Sequence, residues 1–476
     1  FKGVRYGATT EGRRFLPPQP ANPWSDVADA LDYGNQSPQS RPTNTSLFRT
    51  WANRRAASED LLFLNVWTPA LRDGRKRPVL VWFHGGGFST GSGSSHAYDG
   101  TRLARKGDVV VVTVNHRLNA FGYLYLAGLS SDPALADSGN VGNLDMLLSL
   151  QWVRDNIAEF GGDANNVLIF GESGGGAKVS TLMTMPAARG VFHKAVVQSG
   201  SMIRAQSPEA ATAGAKAFLN VLGLKPEQVN ELRAMPMQKI ADALNGLAPQ
   251  AGVNFSPVLD GRSLPRHPFD PDAPDASAHV PLMVGTTKDE TTLLIGGRDP
   301  SAFNISWEAL PQRIAPFSQG LDQAQLIAKL RELLPSATAS DLFFTITTAR
   351  NFRNNAIRQA ELKSQQGKAP AFLYQLNWET PVEDGKWKAP HALEIGMVFD
   401  NVAKSESMSG ISAEAQKVAD HMSSAWLAFA KTGNPGWPAY DSTARSTMVF
   451  NFDSKVVNDP DRNLRLLLSK LPPRVP

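Results

Sequence analysis

Cysteine is absent from all 476 residues. That excludes a disulfide framework, thiolate metal sites and a cysteine nucleophile. No apolar run approaches the ~18 residues of a membrane-spanning helix, so no membrane insertion is expected. Basic residues never gather into a run of five or six, and the net charge is only +4; no nucleic-acid partner is indicated. The chain lacks an H-E-x-x-H zinc motif, and its Gly-Lys pairs at 367–368 and 385–386 are not followed by Ser or Thr, so it has no phosphate-binding P-loop. Neither a metal nor a cofactor is expected. Internal repeats and low-complexity segments are also missing. The opening residues, Phe1-Lys2-Gly3-Val4-Arg5-Tyr6-Gly7, read as the middle of a strand and its turn. A leader and a first strand or two are expected upstream, with secretion or a periplasmic location preferred over the cytoplasm.

What the chain does contain is 42% hydrophobic residues, enough for a large core. Short apolar runs recur at Leu61–Trp67, Pro78–Phe83, Val109–Val114, Val167–Phe170, Lys194–Gln198, Pro281–Gly285 and Ala371–Leu376. Most are continuous rather than alternating, as in strands buried on both faces. Helical spacing fills the intervals at Asn143–Ile157, Gly174–Met185, Ala210–Leu222 and Ala415–Lys431. Strand followed by helix, repeated, predicts an α/β architecture: a mostly parallel sheet with helices on both faces. Length alone suggests two or three domains, but an α/β domain with insertions reaches this size, and residues 1–476 are read as one domain. A mostly helical insertion over about 300–368 interrupts the strand rhythm and should lie beyond strand ends, where such sheets bind ligands. The proline-rich stretch Pro265–Pro281 reads as a surface excursion.

G-x-S-x-G occurs twice, around Ser89 and around Ser173. Ser173 follows the apolar run ending at Phe170 and precedes a helical pattern from Gly174. A strand-to-helix turn this tight forces the serine into an unfavourable backbone conformation, exposes its Oγ over the sheet edge and needs small neighbours such as Gly171 and Gly175. It also points the Gly174 amide into the same space. Ser89 follows His84-Gly85-Gly86-Gly87-Phe88 and has no helix behind it. A triple glycine bares backbone N–H groups, which suits an oxyanion hole. Ser173 is therefore read as a nucleophile, and the Ser89 loop as the source of donors to it.

Several segments together resemble the type-B carboxylesterases, the α/β-hydrolase family that includes cholinesterases. Ser58 to Pro69 is similar to the family's S-E-D-C-L-x-L-N-V signature, and His84–Phe88 to its HGGGF loop. FGGDANNVLIFGES, ending at Ser173, resembles the approach to its nucleophile; Ser256–Gly261 and Lys431–Pro435 resemble later segments. The family's cysteines are replaced by Leu61 and Ser37, so its N-terminal disulfide is missing, a loss typically of about 2–5 kcal/mol unless repacking offsets it. The residue after the nucleophile, usually alanine, is Gly174.

The resemblance implies an α/β-hydrolase fold and the order serine, acid, histidine. His391, in Pro390-His391-Ala392-Leu393-Glu394, stands at the family's HAxE position. Of the other histidines, His193 reads as packing, His421 lies in a helix, and His96 is a candidate for the pocket mouth. For the acid, Asp289 and Glu290 are adjacent and cannot both face one imidazole; the family pattern G-x-x-x-D-E-G implies Glu290, with Asp289 in reserve and Thr291 in place of the last glycine. The resemblance further implies oxyanion donors at Gly86, Gly87 and Gly174, with Glu172 bordering the pocket and Ser199 and Glu394 lying around the histidine. It implies a serine hydrolase acting on small-molecule carboxylic esters through an acyl-enzyme. The alternatives are a lipase, a specialised ester or amide hydrolase, or a catalytically inactive adhesion homologue.

Overall fold

The apolar runs become strands of one ten-stranded sheet in the computed structural model, which describes residues 1–40, 46–53, 55–247 and 252–473. In chain order the strands are β1 (Val4–Arg5), β2 (Phe63–Trp67), β3 (Arg77–Phe83), β4 (Val110–Val114), β5 (Gly162–Glu172), β6 (Lys194–Gln198), β7 (Leu282–Thr287), β8 (Ala371–Leu376), β9 (Ser446–Phe450) and β10 (Lys455–Asn458). Their spatial order is β1-β2-β4-β3-β5-β6-β7-β8-β9-β10. Every pairing from β4 across to β9 is parallel. The two margins, β1 with β2, β2 with β4 and β9 with β10, pair antiparallel.

Burial on both faces explains why the central strands are unbroken apolar runs. On β3, Val79, Val81 and Phe83 enter one core while Leu80 and Trp82 enter the other. The first core is closed by the helices Val141–Asn156, Gly174–Leu182 and Asn354–Gln366, through residues such as Met146, Val179 and Ile357. The second is closed chiefly by Ala413–Thr432, whose Val418, Met422 and Trp426 meet Trp82 and Phe170. Each fully buried side chain of this kind contributes about 1.5–3 kcal/mol. The missing disulfide leaves no gap in this scheme. Leu61 is fully buried in the first core, and the buried Ser37 Oγ accepts a hydrogen bond from the Leu118 N–H at 3.2 Å.

Residues 300–366 run almost entirely through helical turns, including Gln323–Leu333, Ala339–Thr348, a π turn Ala349–Arg353 and the long helix Asn354–Gln366. Leu326, Leu330, Leu342 and Phe343 build a separate apolar cluster there, which Leu468 and Leu471 from the C-terminal end complete.

Chain order dictates where a site can form. From β3 the chain moves outward to β4 on one side and then returns to β5 on the other. The reversal leaves a crevice beyond the carboxyl ends of β3 and β5, the position at which open α/β sheets bind ligands. Phe83 on β3 pairs with Gly171 on β5, so the glycine loop after β3 and the turn after β5 leave the sheet side by side.

Candidate active site

Ser173 occupies the turn between β5 and the helix Gly174–Leu182, with φ 58° and ψ −122°. Such a conformation is unfavourable for a residue with a Cβ and persists only where its surroundings enforce it. Here the Ser173 N–H donates to the Gln198 carbonyl at 2.8 Å and the Ser173 carbonyl accepts from Ala177 N–H at 3.1 Å. Gly175 is needed for the turn to close, since a Cβ there would stand 2.0 Å from the Phe83 carbonyl oxygen. The glycine loop lies directly alongside: a Cβ on Gly85 would come within 3.4 Å of Ser173 Cβ. Gly86 and Gly87 adopt φ 87° and 63°, a region open to glycine at no steric cost.

Ser89 has a different environment. Its N–H donates to the Gly86 carbonyl at 3.3 Å and its carbonyl accepts from Asn119 Nδ2 at 3.0 Å. It closes the glycine loop and is followed by no helix.

His391 and Glu290 meet as the resemblance implies. His391 Nδ1 lies 2.5 Å from Glu290 Oε2. Glu290 begins the short helix Glu290–Leu294 after β7. Its Oε1 accepts from Ser199 Oγ at 2.6 Å and from the Thr287 N–H at 2.9 Å. The neighbouring Asp289 turns away, exchanging contacts with the Ala389 backbone: its N–H donates to the Ala389 carbonyl at 3.0 Å and its Oδ2 accepts from the Ala389 N–H at 3.3 Å. Thr291, at the position of the family's glycine, has a use of its own. Its Oγ1 lies 2.7 Å from Thr347 Oγ1 and 3.0 Å from Thr348 Oγ1, tying the acid's helix to the helical insertion.

The other face of the imidazole is enclosed by Glu172 and Phe352. Glu172 Oε1 lies 3.2 Å from His391 Nε2, although neither atom completes a hydrogen bond. The Phe352 ring, from the π turn, sits 5.2 Å from the imidazole. Ser199 Oγ is also 3.3 Å from Glu394 Oε1, so three buried glutamates surround one buried histidine. Burial disfavours charge on His391, but the carboxylates of Glu172 and Glu290 outweigh it and raise the imidazole to about 9. Burial raises Glu172 to about 7; His391 opposes that rise and Glu290 adds to it. Burial, with Glu172 and Glu290 nearby, pushes Glu394 well above the carboxylate range.

Thus Ser173, Glu290, His391, Glu172, Ser199 and Glu394 converge at the carboxyl end of the sheet, with Gly174 and the loop carrying Gly86 and Gly87 beside the serine. His96 is exposed on the turn His96–Tyr98, and the His193 ring accepts from Val167 N–H at 3.2 Å, a packing role. Two neighbours escaped the sequence reading. Phe352 carries no motif, and only the fold brings the insertion back over the histidine. Lys178 could have been noticed as a lone charge inside the small, apolar helix Gly174–Leu182, where it is completely buried. Among the described residues no group of three or more His, Asp or Glu is arranged to hold a metal ion, and no helix is long and apolar enough to cross a membrane.

Comparison with known proteins agrees with this architecture. The model of the carboxylesterase family matches residues 1–465. The para-nitrobenzyl esterase of Bacillus subtilis is 36% identical over 478 aligned positions, covering 98% of this chain and 94% of that protein. Among solved structures, a carboxylesterase of Geobacillus stearothermophilus superposes with a TM-score of 0.86 at 38% identity, over 98% of this chain and 95% of the other. An esterase from the anaerobe Clostridium hathewayi that can hydrolyze aliphatic aromatic polyesters superposes at 0.81 with 32% identity, over 99% and 94%. With a family match along nearly its whole length and relatives well above 30% identity, the chain belongs to the carboxylesterase family and is a carboxylic ester hydrolase of the α/β-hydrolase fold.

Proposed function

We propose that Ser173, His391 and Glu290 carry the hydrolysis, with the amides of Gly86, Gly87 and Gly174 receiving the oxyanion. One observation supports this most directly. The strained serine lies beside the bared glycine loop at the crevice between β3 and β5, and Glu172, its neighbour in the chain, reaches 3.2 Å from the imidazole whose Nδ1 contacts Glu290 at 2.5 Å. In the first half-reaction His391 Nε2 removes the Ser173 proton as Oγ attacks the ester carbonyl carbon. Glu290 holds the Nδ1–H tautomer and stabilises the imidazolium that forms. The carbonyl oxygen becomes an oxyanion, and each amide donor aimed at it is worth roughly 10²–10³ in rate. The imidazolium then protonates the departing alkoxide, leaving an acyl-serine. Water enters, loses its proton to His391 and releases the carboxylic acid in the second half-reaction. Among the described residues His391 Nε2 has no hydrogen-bond partner, which leaves it free to take the serine proton; such bonds commonly tighten only once substrate is bound.

Small-molecule esters are the proposed substrates. Relatives named for para-nitrobenzyl esters and for phenmedipham support an activated or aryl-bearing ester. The test is p-nitrophenyl acetate hydrolysis by S173A and S89A. S173A should lose activity by several orders of magnitude and escape labelling by an organophosphate, whereas S89A should keep most of its rate. The reverse pattern would overturn the assignment.

A further inference from the structure

Lys178 is a completely buried lysine with no carboxylate within 4 Å among the described residues. Its ammonium donates to a single oxygen, the His84 carbonyl, at 2.8 Å. That carbonyl belongs to the peptide immediately before the triple glycine. Phe88, immediately after the triple glycine, offers its ring face at 5.8 Å from Nζ. The remaining titratable neighbours are His84 and His116, stacked at 4.9 Å. Burial, and then the charge of Lys178, holds both well below the ordinary imidazole range. Nothing here satisfies a cation as an ion pair would, and a buried, unpaired ammonium is strongly unfavourable. A methionine would fill all but the last atom's space without that penalty, so the amine's use must lie in its contact.

The helix geometry shows what that contact does. Residues four apart lie above one another on a helix face, and Gly174 and Lys178 have that spacing on Gly174–Leu182. Gly174 touches the far end of the loop: a Cβ there would stand 2.1 Å from the Gly87 carbonyl oxygen. Lys178 touches the near end. One helical turn, about 5.4 Å, therefore holds both ends of the segment 84–87. Gly174 lets the loop come down onto the helix, and Lys178 stops its first peptide from rotating away. Both residues act on the segment whose Gly86 and Gly87 amides face the reacting carbonyl.

We propose that Lys178 is a positioning residue for the oxyanion loop, tethering the His84 carbonyl so that the following glycine amides stay aimed at the developing negative charge. It makes no contact with substrate. The proposal rests on the reading of Ser173 and the glycine loop given above.

The test compares K178M, K178R and S173A with the unaltered enzyme. K178M keeps an unbranched apolar stem as far as the ε position and removes the donor; K178R restores a donor. The measurements are kcat and KM for p-nitrophenyl acetate, inhibition by an aryl trifluoromethyl ketone that forms a tetrahedral adduct, and the thermal midpoint. Misaimed oxyanion donors should lower kcat about 10–100-fold, part of the roughly 10²–10³ carried by one donor. KM should change little, and trifluoromethyl ketone affinity should fall in step with kcat. The K178M midpoint should hold or rise, because a buried cation has gone, and K178R should recover part of kcat. A folded K178M with kcat within about twofold of the parent and unchanged inhibitor affinity overturns the proposal. If K178M does not fold, K178Q, whose donor falls one bond short, must show the same paired loss of kcat and inhibitor affinity, or the proposal fails. S173A separates the two readings. Were it active, the nucleophile assignment would fall; if S173A is dead and K178M is intact, only the tether falls.

Discussion

Glu172→Gln gives the sharpest probe of the site's electrostatics. Glu172 faces the nitrogen of His391 that must accept the nucleophile's proton, at 3.2 Å. His391 is raised from 6.5 to about 9, against its own burial, by Glu172 first and Glu290 second. At 1.36 kcal/mol per unit, that rise represents about 3 kcal/mol of net preference for the imidazolium. Because burial pulls the other way, the two carboxylates together supply more than this net figure. If Glu172 provides half of it, the neutral amide in E172Q should lower the imidazole by at least roughly one unit. The sign follows from the mechanism: only neutral imidazole accepts the serine proton, so kcat/KM rises with pH through the His391 titration. Removing a negative neighbour moves that rise to lower pH. The assay is kcat/KM for p-nitrophenyl acetate in steps from about pH 5.5 to 9.5, at two salt concentrations, since a buried pair should respond little to screening. E172Q should reach its plateau at lower pH and be the faster enzyme, relative to its own maximum, near pH 6.5. An acid limb that stays within about 0.3 units of the parent, or moves upward, would refute the idea that Glu172 sets the basicity of His391.

Three further outcomes are expected. G174A restores the residue usual in the family but places a methyl 2.1 Å from the Gly87 carbonyl; overpacking of this kind typically costs about 1–3 kcal/mol, and kcat should drop with the displaced loop, measured beside the thermal midpoint. E290Q keeps the volume but loses the charge opposite His391 Nδ1, so kcat should fall by on the order of 10⁴ with the fold intact by circular dichroism. Asp145 accepts from the Arg117 N–H, Nε and Nη2 at 2.7–2.9 Å, both residues being buried. D145A strands the guanidinium and should destabilise the protein by about 3–5 kcal/mol in urea unfolding.

The central strands and the strained turn of the proposed nucleophile were legible because their signals are local. Continuous β-branched runs, a serine between glycines and a triple glycine after a strand each mean something within a few residues. Lys194–Gln198 and Ala371–Leu376 coincide with β6 and β8 as expected, while β5 starts at Gly162, upstream of the apolar Val167–Phe170, through the mostly polar, half-buried to exposed stretch Asp163 to Asn166 that no apolar run marks. β9 and β10 went unmarked: Lys455–Asn458 is a short, largely exposed edge in which only Val456 and Val457 are apolar, too brief a run to announce it. The acid could be assigned only through the family pattern, since Asp289 and Glu290 are chemically alike in sequence. The structure separates them by the turn that points one at His391 and the other at Ala389. Phe352 lay beyond reach because its contact with His391 joins segments 39 positions apart through a π turn.

The glutamate cluster shows why the triad alone does not describe the base. Three carboxylates buried around one imidazole cannot all be ionised, and like charges this close titrate as a set. Glu290 receives Ser199 Oγ and the Thr287 amide on Oε1 and meets His391 Nδ1 through Oε2. Glu394 Oε1 has Ser199 Oγ at 3.3 Å, and burial with Glu172 and Glu290 nearby pushes Glu394 far upward, which favours its neutral form. Ser199 Oγ thus bridges Glu290 and Glu394, while His391 meets Glu290 from the other side. Glu172, raised to about 7, is the member left to exchange protons near neutrality. On the proposed assignment, a proton arriving on Glu172 weakens the hold on the imidazolium and makes it easier for His391 to give its proton to the leaving alcohol. Each half of the proposed reaction asks His391 first to take a proton and then to give it up, and a carboxylate poised beside Nε2 bears on both steps.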